Sequence, residues 1–179
     1  MKAKTLVVSF AVLLLAGSLA LAGDQKPFKG SIHFTSTETI SLDQAKNYPY
    51  LAEVIGLMGE PDPVSLFFTP PTVMKGEGRN NVGGESTYTN AQLFYLYPLD
   101  EYWSRYTMVF YEDCTITVAN GDQIYVRIEA VYYSSIDKLI AEETVVGGTG
   151  RFEGATGSFE GIWDSNKDIV HNGYIVTNK

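Results

Sequence analysis

The chain has 179 residues, among them 17 Gly, 12 Tyr, 9 Phe and a single Cys, with 13 Lys and Arg against 21 Asp and Glu for a net charge of −8. At 45% apolar and 19% charged residues it is too apolar for intrinsic disorder, and its length suits one domain or two very small ones. The acidic balance argues against a broad basic face for nucleic acid, and one cysteine excludes an intrachain disulfide or a CxxC site.

Lys2 and Lys4 precede an apolar run from Leu6 to Leu15 that only Ser9 interrupts, and Ala20-Leu21-Ala22 supplies the small-x-small pattern of a cleavage site. Residues 1–22 are therefore expected to be a cleaved signal peptide, leaving one secreted or periplasmic domain over residues 23–179. The apolar core falls short of the ~20 residues that a spanning helix needs. Ser18 stands where a lipobox requires cysteine, so no membrane anchor is expected. Residues 23–29 read as a flexible leader.

Period-two alternation rich in Val, Ile, Thr, Tyr and Phe then recurs to the C-terminus, punctuated by Gly, Pro and Asn. The first strand is predicted near residues 31–39, where Ile32 and Phe34 alternate with Ser31, His33 and Thr35. One short helix follows: Pro49 suits a first turn, Leu51, Val54, Ile55 and Met58 recur at helical spacing, and Gly59 and Pro61 end it. It is expected to pack over the sheet rather than to act as a lid. Further strands are predicted at 64–69, 73–78, 86–97, 103–111, 114–119, 122–133, 139–146, 157–163 and 169–177. So many short strands predict an all-β sandwich or barrel, and no linker divides the chain.

The register is legible around Ala119-Asn120-Gly121-Asp122. A two-residue Asn-Gly turn would pair Ile116 with Tyr125 and scramble the apolar face. A loop from Ala119 to Gly121 instead pairs Ile116 with Ile124 and aligns Ile116, Val118, Ile124, Val126 and Ile128 on one side. The longer loop is predicted, with Gly121 in the left-handed position. Tyr125, Arg127, Glu129, Val131 and Tyr133 share the opposite face, which needs partial cover. Cys114 reads as a buried, inert thiol.

Residues 145–157 read Val-Val-Gly-Gly-Thr-Gly-Arg-Phe-Glu-Gly-Ala-Thr-Gly. A phosphate-binding loop would lead into a helix, whereas these glycines run into the strand-like stretch from Ser158 to Trp163, so no nucleotide or other cofactor is expected. Gly147, Gly148, Gly150, Gly154 and Gly157, set around Arg151 and Phe152, suit positive φ and close backbone approach at a barrel corner. The segment resembles the signature of plant dirigent proteins, and its Phe152-Glu153-Gly154 continuation is similar to the matching stretch of allene oxide cyclases. Both belong to the allene oxide cyclase-like barrel superfamily. The resemblance implies a single antiparallel eight-stranded barrel, here with its helix after the first strand, and assembly as a homo-oligomer, dimer or trimer. It spans about fifteen residues, marks fold rather than function, and carries no catalytic residue over. The chain cannot form the dirigent disulfide.

His33 and His171 lie on separate strands without a carboxylate or cysteine at ligand spacing, so no metal site is expected. Glu77, Glu85, Glu129, Glu142, Glu143, Glu153, Glu160 and Asp164 are plentiful acids, but their convergence is not written in one sequence. Aromatic residues crowd the stretch from Phe94 to Tyr111 and suit cavity walls or interfaces. Arg79, Tyr95, Tyr97, Trp103 and Tyr106 are the candidate ligand-binding residues, with arginine available to fix a carboxylate or phenolate. The expected function is a noncatalytic exported barrel that binds a small hydrophobic or aromatic ligand or assembles through its outer face. The rival expectations are a cyclase- or dirigent-like guide for a reactive hydrophobic substrate, and an interaction protein with a packed barrel.

Overall fold

The computed structural model describes residues 23–63, 66, 69–98, 106–133, 138–163 and 168–178. Eight strands are present: β1 (Asp24–Thr39), β2 (Thr72–Asn80), β3 (Gly84–Pro98), β4 (Tyr106–Val118), β5 (Gln123–Tyr133), β6 (Lys138–Gly148), β7 (Thr156–Trp163) and β8 (Asp168–Thr177). Each pairs antiparallel with its sequence neighbours, and β8 returns to β1, so the sheet closes into the expected eight-stranded barrel. Helices α1 (Leu42–Ala45) and α2 (Pro49–Met58) lie between β1 and β2.

Alternation along each strand sends one set of side chains inward and the other out. The inward set builds a core from Phe28, Ile32, Tyr88, Ile116, Val118, Ile124, Val126, Val145, Phe159 and Ile175. The predicted hairpin register holds: Ile116 faces Ile124, the Val118 N–H donates to the Asp122 carbonyl at 3.0 Å, and Gly121 has φ +88°. Arg127 consequently points outward.

A second cluster lies on the outside, where Tyr50, Leu51, Val54 and Ile55 of α2 cover Val73, Ala91, Leu93 and Tyr95. Pro49 opens α2 and Gly59 ends it at φ +83°, as the sequence predicts. α1 is a single capped turn in which Ser41 and Gln44 satisfy each other's backbone N–H groups at 3.1 and 2.8 Å. Part of the cover expected over the Tyr125–Tyr133 face comes from α2: the Tyr50 hydroxyl donates to Glu129 at 2.6 Å, and Arg127 pairs with Glu53 at 3.0 Å.

Three element boundaries differ from expectation. Residues 24–29 are strand rather than leader, because β1 pairs with β8 from Asp24 opposite Thr177 to His33 opposite Asp168. The stretches predicted at 103–111 and 114–119 join into one continuous strand, β4. The strand predicted at 64–69 is not formed at Leu66, whose N–H donates to the Asp62 carbonyl in a helical turn; residues 64, 65, 67 and 68 lie outside the described residues.

The glycine-rich segment crosses one end of the barrel. Gly147 sits at a bulge opposite Tyr125 and Val126, Gly148 ends β6, residues Gly150–Phe152 form one 3₁₀ turn, and Gly157 lies in β7. Phe152 is buried in the core and plugs that end, while Gly154, at φ +67°, redirects the chain. The segment enters a strand, not a helix.

Candidate ligand site inside the barrel

Above the apolar plug, the inward rows of β3, β4, β6 and β8 turn polar. Asn90, Gln92, Glu112, Glu143 and His171 are all buried there, and Glu112 and Glu143 interrupt rows that are otherwise apolar. Glu112 and Cys114 extend the Ile116–Val118 row, Glu143 stands between Ala141 and Val145, and His171 between Ile169 and Ile175.

Two hydrogen-bonded units result. His171 Nδ1 lies 2.9 Å from both Glu143 carboxylate oxygens. This orients the ring: a neutral imidazole donates from Nδ1 and leaves Nε2 as an acceptor, whereas a protonated one makes Nε2 a donor. Gly161 makes the contact possible, since a Cβ there would sit 2.2 Å from Glu143 Oε1. The second unit is Glu112, which accepts from Asn90 Nδ2 and, at 2.8 Å, from Gln92 Nε2.

Burial pushes the Glu112 carboxyl up to about 7; the Asn90 hydrogen bond counters this, the nearby Glu143 charge adds to it, and the Gln92 bond counters it further. Near neutral pH this acid therefore exists both with and without its proton. Burial likewise pushes the Cys114 thiol well above its usual range, helped by the charges of Glu143, Glu112 and Asp113, which disfavours a thiolate nucleophile.

Tyr88 completes the layer. Its ring lies parallel to that of His171, with centroids 6.3 Å apart, and burial raises its hydroxyl to about 12. That hydroxyl lies beside Asn80 and Ser86, whose side chains bond to each other, Asn80 Nδ2 donating to the Ser86 hydroxyl at 2.7 Å. The Tyr88 hydroxyl, Asn90 Oδ1 and His171 Nε2 are all buried without a hydrogen-bond partner among the described residues. Buried polar atoms are nearly always paired, so each of these three is a candidate contact for a bound polar group. Toward the end opposite the glycine-rich segment the wall is partly small, with Ala130 facing Ala141, and partly aromatic, with Phe94 and Phe110 edge-to-face at 4.8 Å.

The five ligand-binding candidates taken from the sequence do not converge on this layer. Arg79 is exposed on the outside of β2, opposite Glu85. Tyr95 is buried beneath α2, its hydroxyl donating to the Gly59 carbonyl at 2.7 Å. Tyr97 lies on the same outer face and is exposed. Tyr106 follows the inward row of β4, its ring 6.4 Å from that of Tyr132, and Trp103 lies outside the described residues. The layer's own members went unselected because their signal is a break in an inward apolar row, which shows only once every row's parity is fixed. No group of three or more His, Cys, Asp or Glu among the described residues is placed to hold a metal ion. Compared with known proteins, the chain matches no family model, and no curated protein is significantly similar to it.

Proposed function

We propose that this chain is an exported, noncatalytic barrel protein that takes a small hydrophobic or aromatic molecule into its interior and holds one polar group of it on the Glu112–Glu143–His171 layer. The observation that carries the reading is the trio of unpartnered atoms, the Tyr88 hydroxyl, Asn90 Oδ1 and His171 Nε2. Together they offer one donor and two acceptors, or two donors and one acceptor if His171 is protonated. A ligand hydroxyl or carbonyl would satisfy them while its apolar body met Phe94, Phe110 and Ala130. The likeness of the glycine-rich segment to allene oxide cyclase-like barrels supports the same reading.

Native mass spectrometry of the mature protein tests it. The expected result is a reproducible extra mass, lost on denaturation, whose retention drops in Tyr88→Phe and His171→Gln. Retention unchanged in both variants would overturn the interior site, and so would a bare subunit with ordered waters on all three atoms.

A second reading follows from Glu112. A carboxyl held near 7 can give up a proton at neutral pH, so a cyclase- or isomerase-like step on a reactive hydrophobic substrate is the alternative. Glu112→Gln tests this second reading: it would abolish turnover of such a substrate, and turnover unchanged in the variant would rule out Glu112 as the proton-transferring group. Assembly with further copies, as dimer or trimer, is supported by Ile162, Val170 and Tyr174, which expose apolar surface on the outside of β7 and β8. The same spectra count the subunits.

A further inference from the structure

The glycine-rich segment does more than close the barrel. Phe152 enters the core, and Arg151, its neighbour, stays outside with its guanidinium carbon 4.8 Å from the Phe152 ring centroid. A carboxylate steadies the other side. Asp122 Oδ2 accepts the Arg151 backbone N–H at 3.3 Å and lies 3.7 Å from Nε. Asp122 can come this close because residue 150 is glycine: a Cβ there would sit 1.9 Å from Asp122 Oδ1. At 3.7 Å the Nε contact is too long for a hydrogen bond, and Nε is buried without a hydrogen-bond partner among the described residues.

Arg151 forms one wall of a cavity of about 540 Å³ at the closed end of the barrel. Lys26 lines it as well, and Pro27, Val82, Phe152 and Ile175 supply apolar surface. Asn81 is committed to structure, donating to the Pro27 carbonyl and accepting from the Lys29 N–H, both at 2.8 Å. The cavity lining thus holds two cations on a chain whose net charge is −8, and each has a carboxylate partner outside the lining: Asp24 lies 3.2 Å from Lys26 Nζ and Asp122 3.7 Å from Arg151 Nε.

We propose that this end-cavity is a binding site for a compact organic carboxylate with an apolar or aromatic body, the carboxylate meeting Arg151 and Lys26 and the body lying on Pro27, Val82 and Phe152. A planar guanidinium already held by a ring and a carboxylate loses little freedom on pairing with a second carboxylate. The apolar floor gives the ligand's body somewhere to go, which a bare inorganic anion would not use. This site is separate from the interior polar layer and does not depend on it.

Benzoate is the probe, with benzylamine and inorganic phosphate as controls, titrated into the full protein while the Arg151 Nε–Hε and His171 ring resonances are followed. Benzoate is expected to shift Arg151 saturably and leave His171 unmoved. Benzylamine should shift neither, and phosphate should bind more weakly than benzoate. Arg151→Met should weaken benzoate roughly tenfold or more, and Lys26→Met by a few-fold, in line with charge-assisted hydrogen bonds. An Arg151 resonance that does not saturate would overturn the proposal, as would benzoate affinity unchanged in Arg151→Met, or phosphate binding as tightly as benzoate. A His171 shift with Arg151 silent would also overturn it, while supporting the interior site. The comparison of benzoate with benzylamine on the unmodified chain decides the matter even if a variant fails to fold.

Discussion

Strand β4 carries polar residues on both of its faces and β5 on its outer face, and the two sides of the sheet use them differently. Outside, under α2, Tyr50 donates to Glu129, its backbone N–H donates to Asp113 at 3.0 Å, and Arg127 lies over its ring while pairing with Glu53. These contacts fasten a helix to a sheet and are half open to solvent. Inside, a few ångströms away through the same backbone, Glu112 sits fully enclosed with Glu143 and His171 close by, and three atoms of its layer have no partner. Similar residue types act as fasteners where they are complete and as a recognition surface where they are incomplete.

The largest test of that contrast is Glu143→Ala. It leaves the buried His171 Nδ1 without its acceptor and should cost about 3 kcal/mol of unfolding free energy in urea titration, the upper end for a buried polar group left unsatisfied. A loss below about 1 kcal/mol would mean that water reaches the layer freely, as it reaches the outer face.

Next comes pH. The folded state holds the Glu112 proton more tightly than the unfolded chain does, moving its pKa from 4.5 to about 7. The contribution is therefore fully present below about pH 4.5, falls as pH rises, and is gone above about pH 7. Its size is on the order of 3 kcal/mol. The stability difference between the wild-type chain and Glu112→Gln, followed by denaturant titration from acid to neutral pH, should carry that slope; a flat difference would sink the assignment.

The smallest effects belong outside. Tyr50→Phe removes one hydrogen bond and should cost ~1 kcal/mol. Arg127→Ala, which breaks a half-exposed pair, should cost less than about 1 kcal/mol. Outer losses as large as that of Glu143→Ala would erase the distinction between the faces.

How much of this could be read from the sequence varied by element. The β4–β5 hairpin was fully legible, since only one register keeps Ile116, Val118, Ile124, Val126 and Ile128 together. The crowd of aromatics misled for the same physical reason: with a period of two, Phe94 and Phe110 turn in while Tyr95 and Tyr111 turn out, so neighbours in sequence part in space. The start of β1 was illegible because Asp24, Gln25, Lys26 and Pro27 carry no alternation and take their strand form from pairing with β8. The inner polar layer needed long-range registers too, for nothing within Glu142-Glu143 says which of the two acids faces inward.

Barrel closure has a consequence in time. The seam joins β1 to β8, so it cannot form until β8 has been synthesised, and contacts so distant in sequence make for slow folding. His171 travels on β8. The contact with Glu143 therefore forms only once β8 has docked, and any partly folded chain with a free β8 also lacks a finished interior.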